Sequence, residues 1–353
     1  MAAQFVSTAR VVVIGGGYGG VSVAKGLDEV AEVTLVEPRD AFVHNVAALR
    51  GLVDPDWTDR LFLPYDHLLA RGRVVRERAE LVEPGAVTLG SGERIAADHI
   101  VLATGSGYPF PAKFAETESA DAIARLHGTR AALERAGHVV LLGAGAVGLE
   151  LAGEIKAGWP DKRVTVVDPQ PDILSGGYSA EFRAEIRRQL GEIGVELRLE
   201  TTMPPPSEPS ADEIWFRCYG VEPASGYLSP ELAAARTANG ALTVTQHLNL
   251  PGQPGIFAIG DLTAIGEGKT AMAAAQHAEV VVANLRAELS GSPERVAYRP
   301  GPAAILLPLG PAGGAGYVPE QGVLDTDAAV QYKSAGLRLD ATLELLGLAA
   351  VSS

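Results

Sequence analysis

The chain has a single cysteine, Cys218, among its 353 residues. One thiol cannot form a disulfide within the chain, so neither a disulfide scaffold nor a dithiol redox pair is available. This cysteine usage fits a reducing compartment. Cys218 follows an apolar strand pattern and is expected to behave as a buried, small hydrophobic residue.

Long hydrophobic runs are also missing. Crossing a bilayer takes about 20 mostly apolar residues, and no such run occurs. The first residues, Met1-Ala2-Ala3-Gln4, have neither the pattern of a signal peptide nor a glycine at position 2 for myristoylation. We therefore expect a cytoplasmic protein without a transmembrane segment. Its apolar end, Ala341 to Val351, would pack at an interface or lie shallowly in a membrane.

Basic residues are scarce relative to acidic ones. The chain has 29 Lys and Arg against 43 Asp and Glu, which gives a net charge of −14, and it has no basic run. This balance argues against nucleic acid as a partner and against electrostatic docking on anionic lipid. No metal site is predicted.

Glycine, by contrast, occurs in a pattern that indicates a nucleotide site. An apolar strand, Val11 to Ile14, runs into Gly15-x-Gly17-x-x-Gly20, which predicts a tight turn and then a helix from Val21 to about Asp28. A second strand, Glu32 to Val36, ends at Glu37, 17 residues beyond Gly20. A carboxylate there would accept hydrogen bonds from a ribose. The alternative is a glycine-rich turn used only for tight packing.

The same pattern occurs a second time. Strand 139–142 leads into Gly143-x-Gly145-x-x-Gly148, and helix 149–157 and strand 163–167 follow, ending at Asp168. Two such fingerprints predict two dinucleotides, each on its own βαβ unit. Because a carboxylate at Asp168 accepts from a 2′-hydroxyl and repels a 2′-phosphate, we expect NADH to be preferred over NADPH.

Two further strand ends carry small or acidic residues. The strand in 97–105 ends in Ala103-Thr104-Gly105, and the strand in 255–259 delivers Gly260-Asp261 just before a long predicted helix, 270–289. The proline-rich stretch 201–209 is not expected to form a strand interior. The sequence therefore predicts an α/β fold with two Rossmann-like domains and a small C-terminal α+β domain.

The order of these pieces resembles the two-dinucleotide-binding-domain flavoproteins. The run His44-Asn45-Val46-Ala47-Ala48-Leu49-Arg50 narrows the resemblance to the apoptosis-inducing-factor-like, ferroptosis-suppressor family, which is related to the type II NADH dehydrogenases. Leu102 to Ser106, Pro109 to Phe114 and Glu154 to Lys156 are similar as well. The resemblance covers about residues 10–310. It implies an FAD-binding domain of residues 1–112 and 240–290, an NAD(P)H-binding domain of residues 113–239, and residues 291–353 as a dimer or membrane contact.

The resemblance also implies which residues hold the two cofactors. For FAD these are Gly15, Gly16, Gly17, Tyr18, Gly19, Gly20, Glu37, Arg50, Thr104, Gly105, Gly260 and Asp261. For the nicotinamide nucleotide they are Gly143, Gly145, Gly148 and Asp168. His44 and His277 are both candidates for a flavin contact, and the sequence leaves open which of them makes one.

The activity that this family implies is transfer of hydride from NAD(P)H to FAD and then of electrons to a quinone. Glu150, Lys269 and Gln276 are the candidate catalytic residues. Lys269 and the start of helix 270–289 would stabilise negative charge on the reduced flavin, although Lys269 could instead be a solvated surface residue. Glu150 could equally cap its helix or pair with a local cation. Met272 replaces a glutamine of the quinone-side helix.

Two other activities fit the same residues. One is an interaction protein that changes oligomeric state when a flavin–NAD charge-transfer complex forms. The other is a reductase for an iron–sulfur protein such as a ferredoxin. In flavin disulfide reductases the helix near residue 44 carries a cysteine pair, and its absence here excludes dithiol chemistry.

Overall fold

The computed structural model describes residues 8–208, 210 and 212–348. Residues 1–7, from which the lack of a leader was argued, and residues 349–353 of the apolar end lie outside the described part. The described chain is α/β, with two separate parallel sheets and a small antiparallel sheet near the carboxyl end. This arrangement confirms the predicted fold class.

The first sheet has six strands taken from two distant stretches of sequence. In spatial order they are Asn249–Leu250, Gln253–Ala258, His99–Leu102, Arg10–Ile14, Glu32–Val36 and Arg73–Val75. All pairs are parallel except the first, which forms an antiparallel edge. The central strands are apolar on both faces because helices and the neighbouring small sheet cover them, and Val11, Val13 and Leu35 are fully buried.

The second sheet has four parallel strands. Their order is Val195–Arg198, Arg163–Val167, His138–Leu142 and Glu213–Arg217. We call the first sheet with its helices the first unit and this sheet with its helices the second unit. A short antiparallel pair, Ser106–Gly107 with Glu222–Pro223, joins the two connections between the units. The domain boundaries at 112, 239 and 290 stay a prediction.

Two three-stranded antiparallel sheets complete the β structure, together with one two-stranded pair. They are Ala79–Glu83, Ala86–Leu89 and Arg94–Ala96; Ile305–Pro308, Gly314–Val318 and Gly322–Leu324; and Phe42–Val43 with Phe62–Leu63. The proline-rich residues 201–208 form no strand, as expected.

The described helices are of very different lengths. The α-helices are Tyr18–Leu27, Ala48–Val53, Ser119–Arg135, Ala146–Gly158, Ala180–Glu192, Pro230–Ala233, Ala271–Leu289, Thr326–Ala329 and Leu339–Leu345. Turns of 3₁₀-helix occupy Asn45–Ala47, Pro55–Arg60 and Gly260–Leu262, and a π-helical turn occupies Val330–Ser334. In the described part of the chain, no helix combines the length and apolar character that crossing a membrane requires.

Both fingerprint helices begin earlier than predicted. The first begins at Tyr18 instead of Val21, and the second at Ala146 instead of Leu149. Glycine is unfavourable in a helix, yet the last glycine of each fingerprint lies in the first helical turn. Gly20 and Gly148 are needed there because the helix packs directly on the preceding turn.

Candidate nucleotide sites and their surroundings

The first glycine turn is closed at two of its glycines and open at the third. Gly15 has φ +103°, and a Cβ there would lie 2.5 Å from the Ala103 carbonyl oxygen. A Cβ on Gly20 would lie 1.8 Å from the Gly15 oxygen, whereas one on Gly17 would meet no atom within 4 Å. The chain therefore needs Gly15 and Gly20 for its own packing, while Gly17 faces space at the start of a helix, where a pyrophosphate is favourable.

The second glycine turn repeats this geometry. Gly143 has φ +117°, and a Cβ there would lie 2.8 Å from the Cys218 oxygen. A Cβ on Gly148 would lie 1.9 Å from the Gly143 oxygen, and one on Gly145 would again meet nothing within 4 Å. Each unit thus has one open position in an otherwise closed turn, which is the shape that a dinucleotide requires.

A carboxylate lies above each turn. Glu37 Oε2 accepts a hydrogen bond from the Gly16 amide at 2.6 Å, and Asp168 Oδ2 accepts one from the Ala144 amide at 2.7 Å. Both acids follow the second strand of their unit, so each carboxylate is held at the sheet edge beside the turn. This is where a ribose diol is recognised in such folds.

Asp261 lies in a polar cluster that joins two distant segments of the chain. Its Oδ2 accepts hydrogen bonds from Lys113 Nζ at 2.8 Å and from the Ser106 hydroxyl at 2.7 Å. Lys113 also donates to the Ser106 carbonyl oxygen at 2.9 Å. Burial opposes ionisation of Asp261, but the charge and hydrogen bond of Lys113 lower its pKa overall. Sequence analysis missed Lys113 as a site residue, although it lies in the run that carried the resemblance.

Lys269 and His277 both contact the loop that follows Asp261. Lys269 Nζ donates to the Thr263 and Ile265 carbonyl oxygens at 2.8 and 3.0 Å, and burial lowers its pKa. His277 Nδ1 accepts from the Gly260 amide at 2.9 Å, so Nε2 carries the proton and donates to Glu267 Oε1 at 2.8 Å. Lys269 as a charge partner of the reduced flavin stays a prediction.

The other histidine candidate is also fully engaged by protein. His44 Nε2 donates to the Leu337 carbonyl oxygen at 3.1 Å, which leaves Nδ1 to accept from the Tyr18 hydroxyl at 2.9 Å. Burial lowers the pKa of His44 to about 4. Both ring nitrogens of His44 and of His277 therefore have protein partners. The histidines hold the Tyr18 and Gly260 positions, and a direct flavin contact is not needed to explain their burial.

The second fingerprint helix carries two glutamates with different partners. Glu150 Oε1 accepts from Lys333 Nζ at 2.9 Å, and Lys333 also donates to the Leu306 carbonyl oxygen. Glu150 therefore pairs with a cation from the carboxyl-terminal segment. One turn later, Glu154 accepts from Arg50 at 2.8 to 3.2 Å, and Arg50 also donates to the Ala335 oxygen.

Arg50 is consequently buried between two helices. Its side chain is 3% exposed and that of Glu154 is 6% exposed. The contact of Arg50 with FAD stays a prediction, and the partner that the structure gives it is Glu154 of the second unit.

The remaining predicted residues divide between packing and exposure. Thr104 donates to the Ala224 carbonyl oxygen at 2.8 Å, and Gly105 has φ +65°. A Cβ on Gly19 would lie 2.9 Å from an Ile259 methyl carbon, so Gly19 allows the first fingerprint helix to approach the end of strand Gln253–Ala258, which Ile259 follows. Gln276 is exposed, and its side chain forms no hydrogen bond with the described part of the chain.

The chain is similar to known oxidoreductases both in sequence and in fold. A family model described as pyridine nucleotide-disulphide oxidoreductase matches residues 9–279. Ferroptosis suppressor protein 1 of Taeniopygia guttata is 32% identical over 335 residues, covering 88% of each chain. The solved sulfide:quinone oxidoreductase of Aquifex aeolicus has a TM-score of 0.73 at 22% identity and covers 98% of this chain and 93% of its own. A ferredoxin reductase of Rhodopseudomonas palustris has a TM-score of 0.65 at 20% identity, with 84% and 80% covered. The two structural likenesses concern the fold.

Proposed function

The chain belongs to the pyridine nucleotide-disulphide oxidoreductase family, and we propose that it is an NADH:quinone oxidoreductase within it. It is an FAD-dependent NAD(P)H oxidoreductase. The disulphide of the family description has no counterpart, because Cys218 is the one cysteine and burial raises its pKa to about 12. Electrons must therefore leave the flavin for an external acceptor without a protein dithiol.

The acceptor is the part that we infer from relatives. Curated relatives include ferroptosis suppressor proteins, and a solved structure that covers 98% of this chain is named a sulfide:quinone oxidoreductase. A quinone takes up two electrons and two protons, so it is a suitable oxidant for a reduced flavin. The observation that carries the proposal is the pair of open turns, at Gly17 and at Gly145, in one chain without a redox disulfide.

The residues present fit the two nucleotides. When bound, FAD supplies hydride acceptance from NADH and electron transfer to the acceptor. Glu37 and the turn around Gly17 would bind its adenosine and pyrophosphate, and Asp261, oriented by Lys113, would accept from its ribityl hydroxyls. Asp168 and the turn around Gly145 would bind NADH. The start of helix Ala271–Leu289, with its partial positive charge, would face the negative end of the reduced ring, with Lys269 beside it.

The carboxyl-terminal segment supports the candidate residue on the second fingerprint helix. Glu150 is held by Lys333, and both side chains are partly exposed, at 16% and 21%. We infer that this pair faces the space between the two nucleotides, where the Glu150 carboxylate would stand beside the nicotinamide. Gln276, exposed near the start of helix Ala271–Leu289, would face the quinone.

The experiment uses the purified protein as a yellow holoprotein. NADH is added without oxygen, and a soluble short-chain quinone follows. Rapid bleaching and rapid reoxidation support the proposal. Slow bleaching with a long-wavelength band and a change in native mass would instead indicate the redox-dependent interaction protein, and turnover only with an iron–sulfur protein would indicate the ferredoxin-type reductase.

Two substitutions make this experiment specific to each turn. Gly17→Val and Gly145→Val add side chains into open space at φ −79° and −77°, which valine tolerates, so the fold should survive. Gly17→Val should give colourless protein. Gly145→Val should remain yellow yet not bleach with NADH. Gly128→Ala is the control, because Gly128 is exposed on its helix and a Cβ there would meet no atom within 4 Å. A yellow Gly17→Val protein that NADH reduces would contradict the assignment.

We further propose a cytoplasmic location, consistent with the single cysteine. Residues 291–353 would form a contact with a second copy or with a membrane surface. Native mass and co-sedimentation with neutral liposomes distinguish these two roles, and a monomer that stays in the supernatant would contradict both.

A further inference from the structure

The order of strands in the second sheet shows where the nicotinamide half of a bound coenzyme must lie. Asp168, the ribose acceptor, follows strand Arg163–Val167, and the glycine turn follows the next strand, His138–Leu142. Adenosine and pyrophosphate are thereby assigned to these two strand ends. The nicotinamide half of a bound coenzyme would continue in the same direction, over the end of the neighbouring strand, Glu213–Arg217.

The chain at that strand end is Cys218-Tyr219-Gly220-Val221. The Cys218 amide donates to the Leu142 carbonyl oxygen at 2.8 Å, and the Cys218 oxygen is the atom that closes the turn over Gly143. Tyr219 therefore lies directly beside the second glycine turn.

Tyr219 is exposed although it is a large aromatic residue. In the described part of the chain only seven large apolar side chains are more than a third exposed, and two of them, Tyr219 at 52% and Val221 at 50%, lie here. The Arg217 guanidinium lies 5.9 Å from the Tyr219 ring centre, within cation–π range. The Tyr219 hydroxyl forms no hydrogen bond with the described residues. Both side chains lie next to the second glycine turn, where a bound coenzyme would cover them.

The first unit provides an internal comparison. Its third strand, His99–Leu102, ends in Ala103-Thr104-Gly105, and Ala103 makes the same contacts there that Cys218 makes in the second unit. Thr104 at the position equivalent to Tyr219 has its hydroxyl bonded to the Ala224 oxygen and to the Tyr227 hydroxyl. At the position where the first unit has a small threonine with both hydroxyl contacts made, the second unit thus has an exposed aromatic ring.

We propose that Tyr219 is a coenzyme-binding residue that packs its ring against the nicotinamide riboside of NADH, with Val221 extending the same apolar wall. This inference rests on the proposed function. The ring, and not the hydroxyl, provides the contact, since the hydroxyl has no partner that would orient it.

The test measures binding of two ligands that differ in the nicotinamide. Anaerobic stopped-flow bleaching against NADH concentration gives Kd and the limiting rate, and ADP-ribose, which has the adenosine and both phosphates but no nicotinamide, is titrated as a competitive inhibitor. We expect Tyr219→Ala to raise the Kd of NADH about fivefold to tenfold. Tyr219→Phe should stay within about twofold of wild type, and the inhibition constant of ADP-ribose should not change in either variant.

Tyr219→Thr introduces the residue that the first unit has at this position, and it should weaken NADH binding as Tyr219→Ala does. If Tyr219→Ala does not fold, Tyr219→Thr provides the test instead. Equal weakening of NADH and ADP-ribose, or no weakening of NADH, would overturn the inference. Failure of NADH to bleach the wild-type flavin would instead remove the proposed function, so the two failures are distinguishable. Flavin content, which depends on the first unit, verifies that each variant is folded.

Discussion

At the residue scale, we expect Asp168 to determine which coenzyme the second unit accepts. Its carboxylate is fixed by the amides of Ala144 and Gln170 at 2.7 and 2.8 Å, so it cannot turn away from a ligand. The nearest cation on the adjacent strand, Arg198, is paired with Glu196 Oε1 at 2.8 Å. Among the described residues that contact Asp168, none therefore offers an unpaired cation that could neutralise a 2′-phosphate.

We expect Asp168→Ala to lower kcat/KM for NADH about tenfold or more, the magnitude of one charge-assisted hydrogen bond, and to raise the relative use of NADPH. Steady-state kinetics with both coenzymes and a saturating quinone measure this. Asp172→Ala, four residues on and paired with Arg187, is the matched control. Comparable kcat/KM for the two coenzymes in the wild-type protein would contradict the role of Asp168.

A second residue-scale effect concerns Lys113. The folded pKa of Asp261 is lowered, so its contribution to stability is present above the ordinary carboxyl pKa and is lost as pH falls through the folded value. Lys113→Met leaves a half-buried carboxylate without its cation, and we expect it to reduce the free energy of unfolding at pH 7 by about 1–3 kcal/mol. Without the Lys113 cation, burial raises the pKa of Asp261, so the carboxyl of the variant takes up a proton more readily and the loss should shrink toward pH 4.

Urea unfolding at both pH values measures this difference. Adding Asp261→Asn to Lys113→Met removes the unpaired charge and should recover part of the loss. An equal loss at pH 7 and pH 4 would show that Lys113 contributes through packing alone.

At the scale of elements, the buried ion pair between Arg50 and Glu154 fastens helix Ala48–Val53 to helix Ala146–Gly158. Burial raises the pKa of Glu154 despite its arginine partner, so the ionised form of Glu154 is costly to bury and depends on Arg50. Removing one partner leaves a buried charge, and we expect Arg50→Met to destabilise the protein by about 3–5 kcal/mol. The double variant Arg50→Met with Glu154→Met should be closer to wild type, since two apolar side chains replace two charges.

Thermal or urea unfolding of the single and double variants forms a double-mutant cycle. Arg188→Ala is the control, because Arg188 is exposed and its pairs with Glu185 and Glu192 should contribute little to stability. A double variant that is as unstable as the sum of both single variants would show that the two residues act independently.

The elements also show which features a sequence can predict. The glycine turns were predicted because their requirements are local: Gly20 must fit against Gly15, and Gly148 against Gly143. Strands Glu32–Val36 and Arg163–Val167 were predicted with their observed bounds for the same reason, as short apolar runs between polar residues. The helix starts were wrong by three residues, because glycine lowers helix propensity even where close packing requires it.

At the scale of the whole molecule, the contacts that join the units could not be predicted. Arg50 and Glu154 are 104 residues apart, Glu150 and Lys333 are 183 apart, and His44 and Leu337 are 293 apart. No local pattern encodes such pairs. The segment that makes two of them contains a π-helical turn, Val330–Ser334, and two successive left-handed residues, Leu337 and Arg338, which neither composition nor periodicity indicates.

These long-range contacts converge on the carboxyl-terminal segment, which touches both nucleotide units. Lys333 contacts the second fingerprint helix, whereas the Leu337 oxygen accepts from His44, which in turn holds Tyr18 at the start of the first. One short stretch of chain thus fixes both turns relative to each other. The stability of this stretch should limit the stability of the whole nucleotide-binding arrangement.

His44 makes one contribution to the pH dependence of global stability. Its folded pKa of about 4 lies below the ordinary histidine value of about 6.5, so its contribution is complete above pH 6.5 and is lost as pH falls toward 4. Protonating Nδ1 would also remove the acceptor for the Tyr18 hydroxyl.

We expect the wild-type free energy of unfolding to fall by about 3 kcal/mol across this pH window through His44. The amide of His44→Gln can donate to Leu337 and accept from Tyr18 without titrating, so the free energy of unfolding of this variant should fall by much less. Urea unfolding at half-unit pH steps measures both curves, with the exposed His127→Gln as control. Burial also lowers the pKa of His277, but His277 is present in both proteins, so its effect cancels in the comparison. Parallel curves for wild type and His44→Gln would show that the contact between His44 and the carboxyl-terminal segment does not govern the acid stability of the protein.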